Sequence, residues 1–278
     1  MLPLEKEKNS FEGPRVFAFS SGKGGVGKTT LAANVAYALS CHKKVLLFDG
    51  DLGLANVDVL FGLSPRFHIG DVLAGRCAIE DVVVCGPGGL RILPASSGLV
   101  KLTNLTETQK LVLLEEFDRI TAGLDYVFLD TPAGISENVL YLNLASQERV
   151  LICTPEPTSL TDVYALIKVL FRKHHIKRFH LVVNFVKNKA QALEIYRQLL
   201  RVIERFLGSI SLNFLGGIPF DQKVSEAIRA QRPLLEIYPN TPASKAIREI
   251  VFQLAALERT SFEGGIQFFG RKIMGVCA

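Results

Sequence analysis

Ser-Ser-Gly-Lys-Gly-Gly-Val-Gly-Lys-Thr-Thr, residues 20–30, is the stretch whose reading decides the fold. Gly22, Gly27, Lys28 and Thr29 match G-x-x-x-x-G-K-[ST], the P-loop pattern that binds nucleotide phosphates. Gly24, Gly25 and Gly27 let successive backbone N–H groups curl around a polyphosphate where a Cβ would collide. Val26 and Thr30 complete the candidate ATP-binding loop. Lys28 brings a cation to the β- and γ-phosphates, and the Thr29 hydroxyl is placed to ligate Mg²⁺. Outward from the loop, residues 15–20 form a β-branched and aromatic run that predicts a buried strand. Residues 29–40 predict a helix with Leu31, Val35 and Leu39 on one stripe. Strand, glycine-rich turn and helix N-terminus together form an anion site.

Beyond this unit, apolar runs alternate with longer helical patterns, which predicts a doubly wound α/β fold with a mainly parallel sheet covered on both faces. Strands are expected at 16–20, 45–49, 90–94, 126–130, 149–154, 179–185 and 214–218. Helices are expected at 28–40, 107–121, 136–145, 159–172, 190–206, 222–230 and 243–258. The chain divides into a tail at 1–14, one domain at 15–258 and a second tail at 259–278.

Three strand ends carry residues suited to a nucleotide site, where ligands of such sheets bind. Asp49 and Asp51 lie two apart just past one strand. Asp130 ends another hydrophobic strand as a Walker B carboxylate does, holding Mg²⁺ directly or through water. Asn184 closes a third, followed later by Pro219 and Asp221. The Asn184 amide could pair with an adenine edge, or serve only as a turn residue.

Composition narrows the class. The chain has 278 residues, 48% hydrophobic, with a net charge of +5. That charge permits contact with nucleic acid or anionic lipid without requiring either. No apolar window is long enough to span a membrane. The charged N-terminus lacks the apolar core of a signal peptide. Five scattered cysteines form no C-x-x-C pair, which argues against zinc or iron–sulfur sites and fits reduced cytosolic thiols. Cations gather in residues 171–180, where they either favour a helix C-terminus or meet an anionic partner.

Lys23, directly after the first glycine of the loop, makes Gly22–Thr29 resemble the deviant Walker A ATPases of the MinD/ParA class. The resemblance covers residues 15–257. Residues 49–62, Asp-Gly-Asp-Leu-Gly-Leu-Ala-Asn-Val-Asp-Val-Leu-Phe-Gly, resemble the switch I segment, and residues 130–134 resemble switch II. With residues 154–170, they are especially similar to the flagellar-number regulators, the FlhG or FleN branch. This resemblance implies an ATP-sandwich homodimer in which Lys23 reaches the partner's nucleotide. Asp51 would polarise the attacking water, Asp49 and Asp130 would support the Mg²⁺ shell, and Asn184 would contact adenine. Hydrolysis would be slow and Mg²⁺-dependent.

In the tail, Phe262, Ile266, Phe269, Ile273 and Val276 fall on one helical stripe, with Arg271 and Lys272 at its edge. It resembles the family's membrane-targeting helix and implies a cytoplasmic protein peripheral at the inner face of the cell membrane. Implied partners are the flagellar GTPase FlhF, flagellar switch components or a flagellar transcription activator. The D-Q-A-x-x-L-R element that stimulates FlhF in this branch is absent from residues 1–14. The alternatives are a MinD-type division-site regulator and a ParA-like DNA-partition ATPase using Arg172, Lys173, Lys177, Arg178, Lys187 and Lys189. The tail argues against nucleic acid as the partner. Iron–sulfur relatives need bridging cysteines near switch II, and none lies between Cys85 and Cys153.

Overall fold

The computed structural model describes residues 13–51, 56–94 and 106–258. The N-terminal tail through residue 12, residues 52–55 of the switch-I-like run and the 259–278 tail with its Phe262–Val276 stripe lie outside the described residues.

In chain order the elements are β1 (Arg15–Ser21), α1 (Lys28–Ser40), β2 (Val45–Asp49), α2 (Val57–Phe61), α3 (Ile69–Leu73), α4 (Ile79–Val82), β3 (Val84–Cys85), β4 (Arg91–Leu93), α5 (Glu107–Thr121) and β5 (Tyr126–Ala133). They continue through α6 (Glu137–Leu144), β6 (Glu148–Cys153), α7 (Pro157–His174), β7 (Arg178–Val186), α8 (Lys189–Phe206), β8 (Ser211–Pro219), α9 (Gln222–Arg229), α10 (Leu234–Ile237) and α11 (Pro242–Ala256). One eight-stranded sheet runs in the order β3-β4-β2-β5-β1-β6-β7-β8. Every pairing is parallel except the two-residue β3 against β4.

β1 shows why unbroken apolar runs become central strands here. Phe17 and Phe19 enter a core shared with α1, while Val16 and Ala18 enter a second core on the opposite face. A strand buried on both faces cannot afford polar alternation. Helix α8 shows the opposite pattern: Ala192, Ile195, Leu199 and Ile203 are buried on one stripe and its arginines face outward. Arg172, Lys173 and His174 occupy the last turn of α7, where their charge complements the helix dipole.

All seven expected strands and all seven expected helices are present, with shifted ends. Strand β5 continues to Ala133, past Asp130, and β8 begins at Ser211. The elements not anticipated are β3, α2, α3, α4, α10 and a 3-10 turn at Pro87–Gly89. Each has five residues or fewer, too few to establish a hydrophobic period.

Candidate functional site

The chain leaves β1 through a glycine-rich loop and enters α1 at Lys28. Gly27 caps the helix at φ 85°, ψ 20°, a left-handed conformation that side chains disfavour. A Cβ on Gly27 would also lie 2.4 Å from the Asn184 Nδ2 atom. At Gly24 and Gly25 a Cβ would meet nothing within 4 Å, so the loop's inner wall is open there.

The first turn of α1 faces the end of β5. Lys28 Nζ lies 2.7 Å from Asp130 Oδ1, and Thr29 Oγ1 donates to Asp130 Oδ2 at 2.6 Å. Asp130 is wholly buried. Burial pushes its carboxyl up, and the Lys28 charge opposes that rise.

Asp49 stands beside Asp130 in the sheet register. Its Oδ2 accepts the backbone N–H groups of Asn56 (2.9 Å) and Val57 (3.0 Å), and its Oδ1 accepts Asp51 N–H at 3.1 Å. Its oxygens clasp the loop between β2 and α2, turned toward backbone donors rather than outward. Burial pushes its carboxyl up to about 6, with the Asp130 charge adding and the Val57 and Asn56 hydrogen bonds opposing. Asp51 instead lines the cavity in front of the P-loop.

Lys23 also lines that cavity, and its ammonium is paired with the Glu156 carboxylate at the start of α7 and approaches Thr158 Oγ1 at 3.4 Å. Asn184 Nδ2 donates to the Val26 carbonyl at 2.8 Å, and its Oδ1 accepts Phe185 N–H at 2.9 Å. The amide expected at an adenine edge therefore braces the P-loop. Asp221 accepts from Lys223 N–H (2.9 Å) and Ala243 N–H (3.2 Å), capping α9 and tying it to α11. Burial pushes this carboxyl up, but those bonds prevail and hold it below its usual value.

These elements enclose a cavity of about 720 Å³, a size suited to a small organic ligand. Gly24 to Thr30, Asp51, Asn184, Pro219 and Asp221 all line it. Sequence reasoning missed Phe185 and Phe220, whose rings meet edge-to-face at 6.3 Å on the cavity wall. Phe220 is 72% exposed, and nothing in its sequence context separates it from a core aromatic. A buried chain of hydroxyls and amides was missed as well. Asn143 Nδ2 donates to Ser20 Oγ at 2.8 Å, and Ser20 Oγ meets Thr131 Oγ1 at 3.0 Å, joining α6 to the ends of β1 and β5.

Chemically, the open glycine loop and Lys28 suit a polyphosphate. The Thr29 hydroxyl and Asp130 carboxylate, 2.6 Å apart, are a hard-oxygen pair suited to Mg²⁺. Among the described residues no group of three His, Cys, Asp or Glu could hold a metal alone. An ion here would share its shell with phosphate oxygens and water.

Residues 17–234 match the CobQ/CobB/MinD/ParA nucleotide binding domain. The chain is 42% identical over 246 residues to the antiactivator FleN of Pseudomonas aeruginosa, covering 88% of each. It is 30% identical over 282 residues to the flagellum site-determining protein YlxH of Helicobacter pylori, covering 99% of this chain and 95% of that one. Among solved structures, the MinC:MinD cell division protein complex of Aquifex aeolicus superposes with a TM-score of 0.70 at 28% identity, covering 89% of this chain and 98% of that one.

Proposed function

The chain belongs to the CobQ/CobB/MinD/ParA nucleotide-binding family, and we propose that it is an ATPase that dimerises on ATP and regulates flagellar number or placement. Similarity to FleN and YlxH along most of the chain supports the flagellar assignment. The observation that carries the chemistry is the Lys28–Asp130–Thr29 cluster, in which Lys28 and Thr29 line the cavity and Asp130 is buried behind them.

In this reading the Gly24–Gly27 backbone and Lys28 bind the β- and γ-phosphates, and Thr30 closes the loop behind them. Bound Mg²⁺, held by Thr29 and Asp130, would neutralise charge on the phosphate oxygens. Asp51 orients the attacking water, while Asp49 acts indirectly by holding the loop that carries Asp51. γ-Phosphoryl transfer to water depends on positioning and charge neutralisation, which these residues supply. Adenine lies between the Asn184–Phe185 and Pro219–Asp221 segments, with the exposed rings as apolar walls. Lys23 leaves Glu156 to reach the nucleotide of a second copy. Hydrolysis is slow, so dimer lifetime rather than turnover sets the signal. The ATP-bound dimer meets anionic membrane through the 262–278 tail, placing the protein at the inner face of the cell membrane. FlhF, flagellar switch components or a flagellar transcription activator are its downstream partners.

A MinD-type division role is the second reading, favoured by the likeness to the MinC:MinD complex. Abnormal cell length with normal flagella in a deletion strain would select it. Sedimentation with anionic liposomes in ADP or ATP, for wild type and Asp51→Ala, tests the first reading. ATP-dependent binding prolonged in Asp51→Ala is expected, alongside slow ATP turnover in wild type; equal binding in both nucleotides would reject the membrane switch.

A further inference from the structure

Residues 163–193 carry seven Lys or Arg and no Asp or Glu. The fold adds other elements to part of that run. Helices α7 and α8 share one core on the same face of the sheet, where Leu170, Ile176, Phe179, Ile203 and Leu207 pack together. Their C-terminal ends are therefore neighbours, beside the starts of β7 and β8. The P-loop cavity lies at the opposite, C-terminal ends of the strands. Arg172, Lys173, Arg201 and Arg205 are exposed on this far rim, with no ion-pair partner among the described residues.

Exposed apolar side chains are interleaved with these cations. Phe206 is 57% exposed at the end of α8, with the Arg205 guanidinium 5.4 Å from its ring centre, and Val202 lies one turn earlier. Phe252, in the last turns of α11, is 75% exposed. Helix α8 packs with Leu212 of β8 on one face, and α11 packs with Leu215 and Ile218 on the other. The two phenylalanines thus flank the start of one edge strand. The end of α11 is fixed at this rim by Arg15, the first residue of β1, which donates to the Ala255 carbonyl at 3.2 Å.

We propose that this rim is a membrane-contact surface for anionic lipid, separate from the 262–278 tail, that adds to the tail's hold on the bilayer. It deepens the membrane reading given above and rests on it. Headgroup phosphates take the arginines and lysines, and the acyl boundary takes Val202, Phe206 and Phe252. Duplex DNA would reward the cations alone and leave three apolar side chains in water. The described residues also end at this end of the sheet, just past α11, and a tail and a rim that bind one surface reinforce each other.

The chain contains no tryptophan, so Phe206→Trp and Phe252→Trp each place a single reporter on the rim. Full-length protein with ATP is titrated with phosphatidylglycerol-containing vesicles, with phosphatidylcholine vesicles and with a DNA duplex. A blue shift and quenching by brominated lipid are expected on the anionic vesicles only. Arg201→Glu with Arg205→Glu should weaken vesicle binding about tenfold or more while ATP turnover is kept; Arg172→Gln with Lys173→Gln is the milder second variant. Vesicle binding without a Trp shift, or undiminished in both charge variants, would assign binding to the tail alone and overturn the rim. Charge-dependent binding to DNA instead of vesicles would make it a nucleic-acid surface. Absence of vesicle binding in wild type would remove rim and membrane switch together, while sedimentation velocity on the same samples reports ATP-driven dimerisation separately.

Discussion

Asn184 and Val26 are joined by a 2.8 Å hydrogen bond from a side-chain amide to a P-loop carbonyl, which ties the end of β7 to the loop between β1 and α1. The loop's shape therefore depends on a residue far away in sequence. Asn184→Ala should lower ATP affinity about tenfold, the consequence of losing one buried hydrogen bond and leaving its acceptor unpaired. Asn184→Asp should be worse, since it sets an acceptor against an acceptor. Titration with a fluorescent ATP analogue checks both, and wild-type affinity in Asn184→Ala would refute the brace.

Gly27→Ala should abolish nucleotide binding for two separable reasons. Its Cβ would lie 2.4 Å from Asn184 Nδ2, and the position has φ 85°. Adding Asn184→Ala removes the collision but leaves a left-handed backbone costing about 1–2 kcal/mol. The double variant should therefore regain part of its urea stability and little of its affinity.

Lys28→Met should destabilise the nucleotide-free protein by about 3 kcal/mol, because it leaves a buried Asp130 without its counter-charge. Combining it with Asp130→Asn should restore most of that loss, since both charges are then gone. Neither variant should bind ATP. Urea midpoints that fall further in the double variant would contradict the pairing.

Asp49 gives a pH dependence of unusual sign. Its carboxyl is raised from 3.8 to about 6 in the folded protein, so the native state holds the proton more tightly. The stability this contributes is fully present below about pH 4 and is lost as pH rises through 6, about 3 kcal/mol in all. The difference in unfolding free energy between wild type and Asp49→Asn, followed from pH 4 to 7, should shrink or reverse accordingly.

Cys153 is buried in β6 and its thiol is pushed up to about 12 by that burial. Cys41 and Cys85 are exposed. Ellman's reagent at pH 8 should therefore label Cys41 and Cys85 in native protein and reach Cys153 only in denaturant.

Much of this was legible in the sequence because the signals are local. The P-loop spells its own geometry, and Asp130 follows an apolar run, Tyr126–Leu129, that is unmistakable as strand. What stayed hidden depends on tertiary neighbours. Asp49 and Asp51 share a motif, yet only the fold turns one toward backbone N–H groups and the other toward the cavity. Ser20, Thr131 and Asn143 are individually unremarkable and become a network only when β1, β5 and α6 meet. Phe220 carries no sequence mark of its exposure, because hydrophobicity has no direction.

The cavity takes one wall from residues 21–31 and another from residues 218–231. During synthesis the phosphate-binding loop emerges first, and the opposing wall leaves the ribosome only after the long intervening segment has followed it. Ligand binding stabilises whatever conformation holds the ligand and nothing else. ATP thus has little to grip on a nascent chain that lacks the second wall, and its stabilisation falls selectively on molecules in which both walls have met.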